Sequence, residues 1–144
     1  MKKNIVLGLI MLGSMNAMAL SRSEEGLPLK ACGFRSIPFL GKYYLAAEYG
    51  DKVTVMEFLK DVDNDTMSKS LRESGMSEKL VSEISSVLPT TLKKGFVLKF
   101  ISKDAVTSVV LNGAGRDVSK DAYAGVIRGI KAKVGSDWKQ PCDQ

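Results

Sequence analysis

The chain has 144 residues, 44% apolar and 26% charged, with 13 Gly and 4 Pro; this excludes a disordered or fibrous chain and points to one globular domain. Its formal net charge is +5, from 21 basic and 16 acidic side chains, and it has no histidine. The commonest acid–base catalyst at neutral pH and the commonest metal ligand are therefore missing, and two cysteines are too few for a thiolate-rich zinc or iron–sulfur site.

Residues 1–19 read as a secretory leader. Lys2 and Lys3 form a positive start, Ile5 to Leu12 an apolar run, and Ala17-Met18-Ala19 a small-x-small cleavage site. The apolar run is too short for a resident membrane helix, so no transmembrane segment is expected after cleavage. The remaining domain, 20–144, carries 19 basic and 16 acidic groups, a net +3. Export to an oxidising compartment, the periplasm of a Gram-negative bacterium or the exterior, makes Cys32 and Cys142 an expected disulfide. That bridge ties a polar tail to the first strand.

In the exported domain, LPLKACGFRSI (27–37) and PFLGKYYLAAEY (38–49) read as strands with Pro38 at a bend between them. Lys52 to Leu59 is a third strand, with Val53, Val55 and Glu57 on one face and Thr54, Met56 and Phe58 on the other. Asp63 can cap a helix over DNDTMSKSLRES that stops at Gly75. Ser77 can cap a second helix, whose Leu80, Val81, Ile84, Val87 and Leu88 form one apolar face ended by Pro89. Strands resume at Phe96–Ile101 and Val106–Leu111, and Asn112-Gly113 signals a turn. A last helix is expected from Ser119, with Ala122, Tyr123, Val126, Ile127 and Ile130 on one side. The order βββ-αα-ββ-α favours an α+β fold, helices packed on one face of an antiparallel sheet.

Few residues could do chemistry. There is no G-x-S-x-G elbow, P-loop or G-x-G-x-x-G motif, and Asn112-Gly113-Ala114-Gly115-Arg116 reads as a turn. Asp61, Asp63 and Asp65 imitate the start of a calcium loop, but position 12 is Arg72 where a Glu is needed; helix capping explains these acids better. No catalytic residue, metal or cofactor is assigned. Arg35 stands out as a charge inside an apolar strand, either on a wet sheet face or aimed into a cleft to meet an anion. Tyr43, Tyr44, Tyr49 and Tyr123 are core or rim aromatics whose phenols ordinarily ionise near pH 10. Lysines interleaved with acids argue against nucleic acid, and no strongly basic amphipathic helix supports membrane-surface binding.

Leu29-Lys30-Ala31-Cys32-Gly33-Phe34-Arg35 followed by Lys42-Tyr43-Tyr44-Leu45-Ala46-Ala47-Glu48-Tyr49 resembles the opening of bacterial exported chalcone-isomerase-like proteins. The likeness continues in Met56-Glu57-Phe58-Leu59-Lys60-Asp61-Val62, Lys94-Gly95, Val97 to Ile101, Val109 to Gly113 and the helix from Lys120 to Ile130. It spans about 27–131. The resemblance implies an open-faced sandwich of reduced size: a curved antiparallel sheet against a helical layer, with a cleft between. In plant members of that superfamily an arginine holds the substrate's oxyanion; in fatty-acid-binding members an arginine and a tyrosine hold a carboxylate. Arg35 matches that arginine, and Tyr44 falls near the position of a catalytic threonine. The segment expected to supply the enzyme's tyrosine reads DTMSKSL, which argues against isomerase activity.

Three functions stay open on this reading. The first is a non-catalytic exported domain that binds a small hydrophobic, fatty-acid-like carboxylic acid. Its ligand residues would be Arg35, Tyr43 and Tyr44, with Phe58, Phe96, Phe100 and Val126 as walls. The second is a structural or docking module for another envelope protein, with a filled core and an apolar surface patch. The third and least favoured is an isomerase or lyase of chalcone-isomerase type.

Overall fold

The computed structural model describes residues 20–142; the expected leader lies outside them. Nine strands form in chain order: β1 (Ser23–Glu24), β2 (Leu27–Ile37), β3 (Gly41–Tyr49), β4 (Val53–Phe58), β5 (Val62–Asp63), β6 (Thr91–Leu92), β7 (Val97–Ser102), β8 (Val106–Leu111) and β9 (Ala114–Ser119). The helices are α1 (Asn64–Glu73), α2 (Glu78–Ser86) and α3 (Ala122–Val134), with one 3₁₀ turn at Gly135–Asp137. Seven strands make one antiparallel sheet in the order β1-β2-β3-β4-β7-β8-β9, while β5 and β6 pair separately. Among the described residues no helix is long and apolar enough to cross a membrane.

Strand alternation sorts the two faces. Ala46, Met56, Phe58, Leu98, Phe100 and Val109 point to the helices and join Val81, Ile84, Val126 and Ile130 in one core. Phe58 and Phe100 are each 1% exposed, and burying such a side chain stabilises the fold by about 1.5–3 kcal/mol. On the opposite face Cys32, Ala47, Tyr49 and Val53 form a smaller cluster covered by Leu20, Leu27, Leu29 and Cys142. The result is an open-faced α+β sandwich.

Local signals explain most element ends. The Ser77 hydroxyl accepts from the Leu80 amide at 3.3 Å and starts α2. Gly75, at φ 93°, follows the Ser74 cap and ends α1 in a conformation that side chains disfavour. Asp63 occupies the N-cap position of α1 with no side-chain capping bond, so its carboxylate acts there through charge alone. Val87 caps α2 and lies just past its last turn, with Leu88 beyond.

Two expectations need correction. The segment 114–119 is a strand, and α3 begins at Ala122 rather than Ser119. AGRDVS has one buried apolar residue, Val118, so its own pattern carries no strand signal. The Asn112-Gly113 turn folds it back on β8 from Leu111↔Ala114 to Val106↔Ser119, and that pairing makes the strand.

The tail is fastened as the cysteine count suggested. Cys32 and Cys142 are bridged with their Cα atoms 5.1 Å apart. Lys139 exchanges two backbone hydrogen bonds with Cys32, at 3.1 and 2.8 Å, so the tail also pairs with part of the β2 edge.

Candidate ligand-binding site

A cavity of about 270 Å³ lies between the β2–β3–β4 end of the sheet and helices α1 and α3. Its walls are Ile37, Met56, Phe58, Val62, Met67, Leu71, Phe100, Val126 and Ile130, and its polar groups include Arg35, Tyr43, Tyr44, Lys69, Glu73 and Lys133. This volume is just below the roughly 300–1,000 Å³ of small-molecule sites, and an apolar chamber with few polar groups is their usual make-up.

Arg35 stands opposite Tyr44, and Tyr44 opposite Phe58, all on the helix-facing side of the sheet. Its Nη1 donates to the Lys133 carbonyl at 3.3 Å and to the Ser36 carbonyl at 3.4 Å. A guanidinium carries five donors; among the described residues the Nε and Nη2 groups of Arg35 have no hydrogen-bond partner, and no carboxylate lies within 4.0 Å. The strand acids Glu48 and Glu57 do not reach it. Glu48 sits 3.5 Å from Lys131, and Glu57 pairs across from Leu45, on the other face. Glu73 is held by Lys133 at 2.8 Å, and that bond keeps its carboxyl below the usual range.

Strict alternation would send Tyr43 and Tyr44 to opposite faces. The register shift between Arg35 and Ser36 prevents this: Arg35 pairs with Tyr44 and Ser36 with Lys42, leaving Tyr43 as the extra residue of a bulge. Both tyrosines thereby line the cavity. Burial pushes the Tyr44 phenol up to about 12, with the Arg35 charge opposing the shift. At neutral pH it is an O–H donor. Its ring meets Phe58 edge-on, with centroids 6.1 Å apart.

The chamber therefore gathers all three sequence-assigned ligand residues, with Phe58, Phe100 and Val126 as walls. Phe96 is a correction: it precedes β7 and packs on the core, but does not line the cavity. Sequence reasoning missed Lys69, Glu73 and Lys133. Lys133 continues the Val126, Ile130 stripe at helical spacing, which was the available signal. A second depression of about 380 Å³ borders Asp63, Asn64, Asp65, Ser85, Leu88 and Thr90. Asn64 spends its amide there on the Ser85, Leu88 and Pro89 carbonyls, joining α1 to the end of α2. No family profile, curated protein or solved structure matches the chain.

Proposed function

We propose that this protein is a non-catalytic exported domain, related to the chalcone-isomerase-like proteins, whose cavity takes a small hydrophobic carboxylic acid. The supporting observation is Arg35, a cation with unused donors and no acid of its own, at the edge of an apolar chamber. Such a group lowers the free energy of a bound carboxylate through charge-assisted hydrogen bonds. The apolar walls take the hydrocarbon, and the neutral Tyr44 phenol stands across the strand pair from Arg35 as a second donor. The modest volume favours a short or medium acyl chain over a long one. Among the described residues no hydroxyl of the cavity hydrogen-bonds to a side-chain base, which supports binding without turnover.

The test is titration with decanoate and with its methyl ester, together with native mass spectrometry of protein purified from the exported fraction. The acid should bind and the ester should bind more weakly, and Arg35→Lys should bind the acid more weakly than the parent. Equal binding of acid and ester would defeat the carboxylate role of Arg35, and no binding of either would defeat the cavity reading.

A further inference from the structure

The antiparallel topology brings distant parts of the chain to one end of the sheet. The β2–β3 hairpin tip (38–40), the residues after β4 (59–61), the residues before β7 (93–96) and the Asn112-Gly113 turn all lie there. The exposed large apolar residues among those described are Phe39, Leu40 and Val97, and all three belong to this end. Phe39 is wholly exposed, and its φ is 69°. That backbone region suits Gly or Asn, and a bulky side chain there is strained. An aromatic ring that gains no burial and sits on a strained turn contributes nothing to this fold.

The same end is basic. Lys42, Lys60, Lys93 and Lys94 are exposed, and among the described residues none of their ammonium groups lies within 4.0 Å of a carboxylate. Lys60 donates to the Leu40 carbonyl, which holds its charge beside the tip, and Lys42 lies 3.9 Å over the Phe34 ring. Of the acids at this end, Asp61 accepts from the Lys94 backbone amide and the exposed Asp63 stands opposite Thr91, two residues before Lys93. At the opposite end of the sheet Lys52, Lys103 and Lys120 each have an aspartate as sequence neighbour, whereas at this end Lys60 alone does, beside Asp61.

We infer that this end of the sheet docks on an anionic lipid surface, with Phe39 and Leu40 entering the apolar layer and the four lysines meeting acidic headgroups. A few protruding apolar side chains ringed by cations suit a bilayer interface, where ring and hydrocarbon insert and charges stay at headgroup level. A protein partner would need about 800 Å² on this side, far more than two tip residues offer. The docking stands apart from any occupant of the cavity. Where the cavity reading also holds, docking sets the wall formed by Ile37 and Tyr43, on the same hairpin, against the lipid.

The experiment is flotation of the chain from Leu20 onward, which carries every described residue, with phosphatidylcholine vesicles with and without phosphatidylglycerol. The chain should float with the anionic vesicles, weakly with neutral ones, and less as salt rises. Phe39→Asn keeps the positive φ at no strain, so its melting temperature should equal or exceed the parent's. It should bind about tenfold more weakly or worse, the factor that corresponds to losing one buried Phe side chain. Lys42→Gln should cost roughly fivefold. Unchanged flotation of Phe39→Asn would overturn the inference, as would equal binding to both kinds of vesicle. A chain that stays off vesicles but self-associates through a contact that Phe39→Asn dissolves would overturn it in favour of a second copy. A chain that neither floats nor self-associates would overturn it outright.

Discussion

The Arg35 guanidinium donates to the Lys133 carbonyl at 3.3 Å, so the residue that faces the cavity also closes the last turn of α3. Carbonyls at a helix C-terminus lack intrahelical partners and carry the negative end of the helix dipole, so a cation there is favourable. Arg35→Ala should therefore lower stability by about 1.5 kcal/mol, the low end for a bond to a charged group, as well as abolishing retention of a carboxylic acid. Arg35→Lys keeps the charge and loses the fork. It should recover most of the stability and little of the acid affinity. Urea unfolding beside ligand titration separates the two effects, and equal recovery of both by lysine would contradict the assignment of the free Nη2 and Nε donors to the ligand.

Reduction of the Cys32–Cys142 bridge should release the tail from β2. The bridge spans 110 positions, and closing so long a loop contributes on the order of 2–4 kcal/mol, less than the loop-entropy formula gives. Backbone bonds from Lys139 to Cys32 and from Cys142 to Lys30 should then fray. Amide exchange at Lys139 and Cys142 should rise far more than at Phe100 on treatment with dithiothreitol, while the sheet core stays folded. Global unfolding on reduction would mean that the bridge holds more than the tail.

Elements built from their own residues were legible in the sequence. Ser77 caps a helix through its own hydroxyl, and Val81 and Ile84 are buried at the spacing that marks an apolar face. Thr54, Met56 and Phe58 face the helices because they alternate in a strand whose two faces are both covered. Features made by neighbours were not legible. β9 exists because β8 supplies the hydrogen bonds, and the Tyr43 bulge exists because β2 and β3 slip by one residue near Arg35. The lysine-ringed end escaped for the same reason: residues 39, 42, 60, 94 and 97 meet only through topology, whereas a search for membrane contacts in sequence looks for one amphipathic helix. Arg35 itself was legible, as a charge with no reason to stand in an apolar strand.

Gly33 marks the closest approach of β2 to the end of α3. A Cβ built there would stand 2.8 Å from the Asp137 carbonyl oxygen and 2.6 Å from Val134 Cγ1. The valine can rotate, but the carbonyl belongs to backbone that also positions Asp137, whose Oδ2 accepts from the Phe34 amide at 2.7 Å. Gly33→Ala should therefore destabilise the protein by about 1–3 kcal/mol, the usual cost of overpacking. Gly113→Ala meets open space but a φ of 91°, so its cost is conformational. Thermal melts of the pair should show both lowered, with Gly33→Ala alone weakening the tail's exchange protection.

Glu48 is 4% exposed on the helix-facing side of β3, with Lys131 at 3.5 Å as its counter-charge. Removing only the lysine leaves a buried carboxylate without compensation, whereas removing both charges restores an apolar contact. Lys131→Met should cost about 1–2 kcal/mol, discounted because Lys131 is itself 42% exposed. The double variant Glu48→Met with Lys131→Met should lie close to the parent. A double-mutant cycle by urea unfolding measures this directly, and simple additivity of the two losses would show that Glu48 draws its compensation from elsewhere.

Alkaline pH should unfold the protein by way of its buried phenols. Burial pushes Tyr44, Tyr49 and Tyr123 each up to about 12 from an ordinary value of 10, and for Tyr123 it outweighs the opposing pull of the Thr54 hydroxyl at 2.9 Å. In this case the folded value lies above the unfolded one. The unfolded chain therefore releases its protons first, and stability that is complete below pH 10 is lost as pH rises through 12. Tyrosine absorbance should consequently show a delayed, cooperative ionisation that coincides with loss of the sheet signal in circular dichroism. Tyr44→Phe removes one of these groups without emptying the aromatic contact to Phe58, so its unfolding midpoint should move to higher pH. An unmoved or lowered midpoint would mean that Tyr44 ionises in the folded protein as readily as in the unfolded chain, and that its place beside Arg35 is open to water.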